Sequence, residues 1–347
     1  MFNIGDFLRL KRTYTLEGSI LAVGIIANPS AGKDIRRLVA QGRFVPVNEM
    51  VNILRRIFSG LKAVDVDKVI VMPDPSMMCK VAFDGIPGPI VEVLDMDVFG
   101  EERDSTTAGT LMSKMDVGCV ITLGGDGTNR SVVKGWRNVP LVPISTGTNN
   151  TFPYMTEGTV AGLAAGVVSR SLVDIDLVSS VSRVLEVRVD GEIVDLAVVD
   201  VGVSREDFIG ARAIWDIDTL DEIFLSRTVP GGIGLSAIGS RLRPCASGMV
   251  GLHIMLGEGG SVIKAPIAPG LVSKVSVKKW SELQVGIPYK VPSRRCTIAL
   301  DGERSFTLKA EHLAEVTLSS NGPKVVSVDS ALDHATIAGV FNHDSQM

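Results

Sequence analysis

The feature that most limits how this chain can fold is an alternation, in its first half, of short apolar runs with amphipathic segments. The runs are rich in Val and Ile and are bounded by Gly, Pro or Asp, as strands buried on both faces are. They comprise residues 20–27, 68–72, 90–94, 117–123 and 140–144. Between the first two runs, apolar residues recur at helical spacing over residues 47–61. This alternation predicts the α/β class, with a parallel sheet between layers of helices.

After about residue 170 the pattern changes, and strand-like segments dominate. A helix of small residues is predicted just before this point, over residues 159–168. Further on, Asp190-Gly191 joins two alternating segments, which is typical of a tight hairpin turn. The strand candidates of this half are residues 184–189, 192–199, 274–280 and 295–300.

The change of pattern predicts two domains. We expect an α/β domain over residues 1–170 and a mainly β domain over residues 171–322. The tail, residues 323–347, is apolar enough to pack back on the first domain. A chain of 347 residues is long enough to bury two separate cores.

Composition and charge exclude several functional classes. Hydrophobic residues make up 45% of the chain and charged residues 21%, so a large core can be buried. The net charge of -4 argues against a nucleic-acid-binding protein. No segment reaches the roughly 20 apolar residues that a membrane span requires. The cysteines show no CxxC spacing and the histidines are isolated, so we expect no zinc site and a reducing, cytoplasmic location.

The stretch Gly124-Gly125-Asp126-Gly127-Thr128 directly follows the apolar run 117–123. Glycines at the carboxyl end of a parallel strand let backbone N–H groups approach phosphate oxygens, and a following helix, expected from about Asn129 to Gly135, adds its dipole. Asp126 would repel a phosphate unless it binds a metal that bridges the phosphates or orients an attacking hydroxyl. A strand-to-helix turn without a ligand is the alternative interpretation.

Two further polar loops follow strands in the same way. Residues 28–33, Asn-Pro-Ser-Ala-Gly-Lys, follow the first run, and residues 145–153 follow the run 140–144. The loop 28–33 matches neither a Walker A nor a Gly-x-Gly-x-x-Gly motif and could be an ordinary turn. The hydroxyls, amides and glycine of the loop 145–153 suit the base or ribose of a nucleotide, although a polar loop with helix-capping residues is the alternative. Because the carboxyl ends of parallel strands meet at one edge of a sheet, we expect both loops to lie beside the glycine-rich one.

Asp301-Gly302-Glu303 lies between two strand candidates of the second half. The same tripeptide, Asp190-Gly191-Glu192, occurs in the predicted hairpin, so both read as turns. Glu303 becomes a candidate general base only if its hairpin folds over a cleft.

Together these segments resemble the superfamily of NAD kinases and diacylglycerol/sphingosine lipid kinases, in which the GGDGT motif is the most specific element. The stretch 24–38 and the loop Thr146-Gly147-Thr148-Asn149-Asn150 most resemble the branch called ATP-NAD kinase-like, or acetoin-catabolism protein X. The resemblance is strong to about residue 155 and weaker beyond it. It implies a Rossmann-like three-layer α/β domain, a β-sandwich domain and a cleft between them.

The resemblance also implies roles for individual residues. Asp126 would contact the acceptor hydroxyl or metal-bound phosphates, which makes it a possible Mg²⁺ ligand, and Glu303 would be the candidate base. Asn150 and Asp200 would lie on the acceptor side. The residues expected to hold ATP or brace its loop are Asn28, Pro29, Gly32, Gly124, Gly125, Gly127, Thr128, Thr146, Gly147, Thr148 and Asn149.

Two departures from the family pattern concern the acceptor. NAD kinases carry an Asn-Glu or Asn-Asp pair that grips the dinucleotide, and the matching positions here are Val199-Asp200. Their Gly-Ser-Thr-Ala-Tyr segment has a faint counterpart in Gly234-Leu235-Ser236-Ala237. These departures argue against NAD as the acceptor and leave ATP as the donor.

The sequence thus predicts a kinase that uses ATP and Mg²⁺ to phosphorylate a hydroxyl of a soluble metabolite. The alternative is a nucleotide-binding regulator that senses ATP or NAD(H) without turnover. A hydride-transferring oxidoreductase is disfavoured because the Gly-x-Gly-x-x-Gly motif is missing. We expect neither nucleic-acid nor membrane partners, and the resemblance implies a homo-oligomer.

Overall fold

The structure is a computed structural model and describes residues 21–30, 41–42, 45–147, 150–206, 217–244, 250–302 and 304–342. The helices are α1 Val47–Ala63, α2 Met78–Phe83, α3 Glu102–Met112, α4 Asp126–Gly135, α5 Gly158–Ser169, α6 Ile175–Val178, α7 Leu235–Leu242 and α8 Val328–Ile337. The strands of the first half are β1 Ala22–Ala27, β2 Lys68–Val71, β3 Ile90–Val93, β4 Val117–Gly124, β5 Pro140–Ser145, β6 Ser179–Val181, β7 Val184–Val189, β8 Glu192–Ala197 and β9 Asp200–Ser204. Those of the second half are β10 Leu220–Leu225, β11 Leu252–Ala268, β12 Leu271–Glu282, β13 Pro288–Lys290, β14 Cys296–Leu300, β15 Arg304–Leu308, β16 Ala314–Ser319 and β17 Lys324–Val326.

The first domain is built on a seven-stranded sheet with the order β3-β2-β1-β4-β5-β17-β6. Strands β1 to β5 run parallel, and they correspond to the five apolar runs of the sequence. The predicted α/β class is confirmed. Strand β17, from the end of the chain, pairs with β5 in parallel and with β6 in antiparallel orientation.

Helices cover both faces of this sheet. On one face, α1 buries the apolar positions that recur in the sequence, among them Leu54, Ile57 and Leu61. The small residues of α5 let it pack closely on α1, because a Cβ at Gly162 would lie 2.2 Å from the carbonyl oxygen of Ile57. On the other face, α3 and α4 contribute a separate cluster that includes Val132.

The second domain is a β-sandwich. One sheet has six strands in the order β12-β11-β10-β9-β14-β15, and the other has four in the order β13-β16-β7-β8. Apolar side chains from both sheets form the core between them, for example Val187, Phe224 and Ile298. Helix α7 packs on β11, where Ile238 joins a further apolar cluster.

None of the helices within the described ranges is long and apolar enough to cross a membrane.

Candidate functional site

The three polar loops follow strands that meet at one edge of the first sheet. Strand β1 leads to α1 on one face, whereas the adjacent β4 leads to α4 on the other face. The chain therefore diverges between the carboxyl ends of β1 and β4. In open α/β sheets this switch point is where a crevice forms and ligands bind.

The Gly-Gly-Asp-Gly-Thr stretch is a strand-to-helix junction. Strand β4 continues through Gly124 and α4 begins at Asp126, so Gly125 alone separates them. The expected helix start near Asn129 was wrong by three residues, because Asn129 closes the first turn instead of opening it. Its backbone N–H and its side-chain amide both donate to the carbonyl of Gly125, at 3.2 and 2.8 Å. Thr122 anchors that side chain through a 2.7 Å hydrogen bond to its Oδ1.

The amino terminus of α4 is suited to bind an anion. Within the described part of the chain, no side chain caps this end of the helix, so its N–H groups and dipole face the crevice side. Thr146 lies beside it, since its N–H donates to the carbonyl of Gly124 at 3.4 Å. The Thr146 hydroxyl is almost completely buried and has no hydrogen-bond partner among the described residues. A buried hydroxyl of this kind needs a partner, which a ligand oxygen would supply.

Asn28 joins the end of β1 to the first turn of α4. Its side-chain amide donates to the Thr128 hydroxyl at 3.0 Å, and its backbone N–H donates to the carbonyl of Leu123 at 3.1 Å. Its Oδ1 accepts from the N–H of Ser30 at 2.9 Å, which holds the turn that contains Pro29. The two sides of the crevice are thus fixed to each other.

Asp126 binds the backbone of the loop after β5. Its carboxylate accepts from the N–H of Thr151 at 3.0 and 3.1 Å and from that of Phe152 at 2.8 Å. The residue is buried. These bonds explain how an acidic side chain is stable at this junction without a ligand, and the sequence did not indicate them.

Asn150 packs against two of the predicted glycines. Its amide nitrogen donates to the Ser145 hydroxyl at 2.8 Å. A Cβ at Gly125 would lie 2.8 Å from Asn150 Oδ1, and one at Gly147 would lie 3.1 Å from its Nδ2. The two glycines therefore allow the close approach of this side chain.

The second domain contacts the same loop. Ser236 lies in the first turn of α7, and its hydroxyl is 2.9 Å from that of Thr151. Both residues are buried. The Arg227 guanidinium lies 4.9 Å from the centre of the Phe152 ring and donates to the Ser182 hydroxyl. Burial lowers the pKa of Arg227, while the nearby Tyr154 and carboxylates oppose that shift.

Asp301 differs from its sequence counterpart Asp190. Both adopt left-handed backbone, with φ of 49° and 52°. Asp190 is exposed and pairs with His312, whereas Asp301 is buried and accepts three backbone N–H groups, from residues 198, 199 and 200, at 2.8 to 3.1 Å. The N–H of Asp301 donates in turn to the carbonyl of Asp200, so this predicted acceptor-side residue lies at the Asp301 turn.

Arg130 of α4 is buried among carboxylates of both domains. Its Nη2 lies 2.8 Å from Glu102 of α3, while its Nη1 is 3.7 Å from Asp195 and its Nε is 3.6 Å from Asp301. Lys134, one turn further along α4, lies 3.1 Å from Asp195. These five residues form a charged cluster that joins the glycine-rich junction to the β-sandwich.

The pH dependence of stability should carry a signature of Asp301. Burial raises its pKa from 3.8 to about 6, although Arg130 and the three N–H groups oppose this shift. Below pH 3.8 the carboxyl is protonated in both folded and unfolded chains, and the neutral group contributes fully to stability. We expect this contribution to be lost as the pH rises through about 6.

The measurement is the free energy of unfolding between pH 3.5 and 7 for the wild type and Asp301→Asn, with pH values of about one unit spacing. The wild type minus variant difference should fall as the pH rises. A difference that rises with pH would mean that Asp301 is stabilised as a carboxylate.

The structure brings most of the predicted site residues together, and some of the others lie outside the residues that it describes. Asn28, Gly124, Gly125, Asp126, Gly127, Thr128, Thr146, Gly147 and Asn150 lie at the junctions that follow β1, β4 and β5. Asp200 lies instead in the second domain, at the start of β9. Gly32, Thr148, Asn149 and Glu303 lie outside the described residues.

Sequence reasoning missed Thr151, Arg227, Ser236 and Arg130. Ser236 had a signal, because it lies in the faint counterpart of the Gly-Ser-Thr-Ala-Tyr segment. Arg130 follows Asp126 by four residues, a spacing that places both on one helix face. Because the helix was expected to begin near Asn129, Asp126 was placed outside it and the shared helix face of Asp126 and Arg130 was not predicted.

Two family models match successive parts of the chain, and a search of solved structures gives a neighbour. Residues 23–172 match a family model described as the ATP-NAD kinase N-terminal domain, and residues 183–321 match one described as the acetoin catabolism protein X C-terminal domain. A putative diacylglycerol kinase from Bacillus anthracis is a structural neighbour with 14% identity and a TM-score of 0.39, covering 89% of this chain and 99% of that one.

A curated relative extends over nearly the whole chain. Acetoin catabolism protein X of Cupriavidus necator is 37% identical over 329 residues, which cover 90% of this chain and 92% of the relative. The resemblance inferred from the sequence motifs is confirmed. The chain belongs to the acetoin catabolism protein X family and carries an NAD kinase-like amino-terminal domain.

Proposed function

We propose that the protein is an ATP-dependent phosphotransferase that transfers the γ-phosphoryl group to a hydroxyl of a soluble metabolite. The observation that carries the proposal is the amino terminus of α4 at the switch point, which no described side chain caps, beside the buried Thr146 hydroxyl. A helix terminus of this kind favours phosphate. The NAD kinase-like domain match supports the same chemistry.

The junction has the groups that ATP phosphates would need. Because Thr128 Oγ1 accepts from Asn28, its own hydrogen is available to donate to a phosphate oxygen. Gly124 and Gly127 keep Cβ atoms away from the backbone N–H groups of the turn. Asn28 and Pro29 would close the other side.

Asp126 would orient the acceptor hydroxyl or bind the metal ion. Its carboxylate oxygens, which accept the N–H groups of Thr151 and Phe152, would also contact the acceptor hydroxyl or Mg²⁺. Mg²⁺ is commonly held by one or two carboxylates together with phosphates and water, so Asp126 and the ATP phosphates would be its ligands. The ion would supply charge neutralisation at the phosphates.

In the proposed step the acceptor oxygen bonds to the γ-phosphorus while the bond from that phosphorus to the β–γ bridging oxygen breaks. ADP leaves, and the hydroxyl proton passes to a carboxylate, for which Asp126 and Glu303 are the candidates. The acceptor would approach from the side of the β-sandwich, where Asn150 and Asp200 would contact it. Val199-Asp200 in place of the dinucleotide-gripping pair favours an acceptor other than NAD, and the name of the relative supports the proposal of a metabolite of acetoin catabolism.

A regulator that binds the nucleotide without turnover is the second candidate. The observation that favours it is the use of both Asp126 oxygens by the backbone of residues 151 and 152. If those bonds persist with ATP bound, Asp126 would have a structural role alone.

A cytoplasmic location fits the cysteines. Cys79, Cys119 and Cys296 are buried as free thiols, and burial raises the pKa of Cys119 to about 12, which keeps it protonated and unreactive.

The proposal is tested by calorimetric titration with ATP and with NAD, together with transfer from labelled ATP to a panel of soluble hydroxyl metabolites. We expect ATP binding and transfer to at least one metabolite. Binding of ATP or NAD without any transfer would favour the regulator, absence of ATP binding would contradict the phosphotransferase, and binding of neither nucleotide would contradict both functions.

Thr128→Val keeps the shape of the side chain and removes the hydroxyl. We expect it to weaken ATP binding by about tenfold or more, since one hydrogen bond to a charged group is lost and Asn28 loses its acceptor. The dissociation constant from calorimetry checks this. Ser131→Ala is the matched control, because the Ser131 hydroxyl bonds to the carbonyl of Gly127 within the same helix.

A further inference from the structure

We propose that Ser236 and Arg227 of the β-sandwich are positioning residues that fix the Thr151-Phe152 dipeptide and thereby orient the Asp126 carboxylate. This inference rests on the proposed function and deepens it. It means that the β-sandwich controls the orientation of Asp126, the residue that would orient the acceptor or bind the metal. We name the dipeptide, with Asp126, Ser236 and Arg227, the interdomain clamp.

On the side of the first domain, the clamp determines where the carboxylate points. Its hydrogen bonds to the N–H groups of Thr151 and Phe152 are 2.8 to 3.1 Å long and engage both oxygens. Asp126 is only 8% exposed, so solvent has little access to reorient it. A displacement of the dipeptide would therefore rotate the carboxylate or leave it with unmatched lone pairs.

On the side of the second domain, two contacts hold the dipeptide. The Ser236 hydroxyl lies 2.9 Å from that of Thr151 and also donates to the carbonyl of Ile233 at 3.3 Å, so the two hydroxyls can form a directed chain. The Arg227 guanidinium packs against the Phe152 ring and is itself anchored on Ser182. Ser236 is fully buried and Arg227 nearly so, which leaves both side chains few alternative positions.

The clamp is continuous across the domain boundary. Thr151 bonds to Asp126 through its backbone and to Ser236 through its side chain, so one residue transmits a movement of α7 to the carboxylate. A ligand that shifts the β-sandwich relative to the first sheet would change the orientation of Asp126. Acceptor binding on that side would thus be coupled to the orientation of the Asp126 carboxylate at the phosphate site.

Ser236→Ala tests the clamp, and Ser240→Ala is its matched control. Ser240 lies one turn further along α7, and its hydroxyl donates to the carbonyl of Ala237 within the helix. We expect Ser236→Ala to speed amide hydrogen exchange at Thr151 and Phe152 by about tenfold, the equivalent of one lost hydrogen bond. Ser240→Ala should leave those two amides unchanged.

Turnover and binding provide the second measurement. For Ser236→Ala we expect turnover at saturating ATP to fall by about tenfold, with the ATP dissociation constant changed by less than about twofold. Thr151→Val removes the other hydroxyl of the pair and should give the same exchange effect, and the double variant should add little to either single one. Thr151→Ser, which keeps the hydroxyl, should behave like the wild type.

The exchange measurement is independent of whether the protein is a kinase. Unchanged exchange at residues 151 and 152 in both Ser236→Ala and Thr151→Val would overturn the clamp. Faster exchange in a protein that transfers no phosphate would support the clamp and sink the proposed function. If Ser236→Ala does not fold, Thr151→Val supplies the same test from the other side of the bond.

Discussion

Asp126→Asn is expected to lower the rate of phosphoryl transfer by about 10²- to 10⁴-fold, the range seen when a group that handles the reacting proton or charge is removed. The amide has no negative charge for a metal or for a developing positive charge on the acceptor. Its nitrogen would also face an N–H group of Thr151 or Phe152, where Asp126 now offers an acceptor. The rate with saturating labelled ATP and the best acceptor from the metabolite panel is the measurement.

The matched control for this variant is Asp174→Asn. The Asp174 carboxylate also accepts a backbone N–H, that of Asp176 at 2.9 Å, but it caps the short helix α6 on the protein surface. We expect Asp174→Asn to retain the wild-type rate. An unchanged rate in Asp126→Asn would contradict a catalytic role for Asp126 and would leave the hydroxyl proton to another group.

The first sheet could be predicted from the sequence because its signals are local. Each of the strands β1 to β5 ends within about two residues of an apolar run, since Val and Ile bounded by Gly, Pro or Asp leave little choice of element. The hairpin at Asp190-Gly191 could be predicted equally well, because its two turn positions have positive φ and are occupied by Asp and Gly, which favour such turns. The position of the switch point follows from strand order, which no local pattern specifies.

The contacts of the candidate site could not be predicted in the same way. Asp126 and its partners Thr151 and Phe152 are separated by a helix and a strand, and the partner groups are backbone N–H groups that every residue has. Asp190 and Asp301 show the same limit more sharply. The tripeptide is identical, yet Asp190 is exposed and pairs with His312, whereas Asp301 is buried, accepts three backbone N–H groups and lies 3.6 Å from Arg130.

The cluster around Arg130 gives the largest expected effect on stability. Arg130 is 1% exposed and is the only cation of the described residues within 4 Å of Asp301. Its Nε and Nη1 have no hydrogen-bond partner in the described part of the chain, so the guanidinium compensates Asp195 and Asp301 through charge at 3.6 to 3.7 Å. Burying a carboxylate without such compensation is costly.

Arg130→Met should therefore lower the free energy of unfolding by about 3–5 kcal/mol, the range for breaking a buried ion pair by removing one partner. Lys134→Met, on the same helix, should cost at most about 1 kcal/mol, because Lys134 is partly exposed and solvent screens its pair with Asp195.

Since Arg130 lowers the pKa of Asp301, the loss of Arg130 should raise that pKa further. A raised carboxyl pKa removes stability as the pH increases, so the deficit of Arg130→Met should be larger at about pH 8 than at about pH 5 in urea unfolding. A deficit that is equal at both pH values, or no greater than that of Lys134→Met, would mean that Arg130 does not compensate the buried carboxylates and that packing alone joins α4 to the β-sandwich.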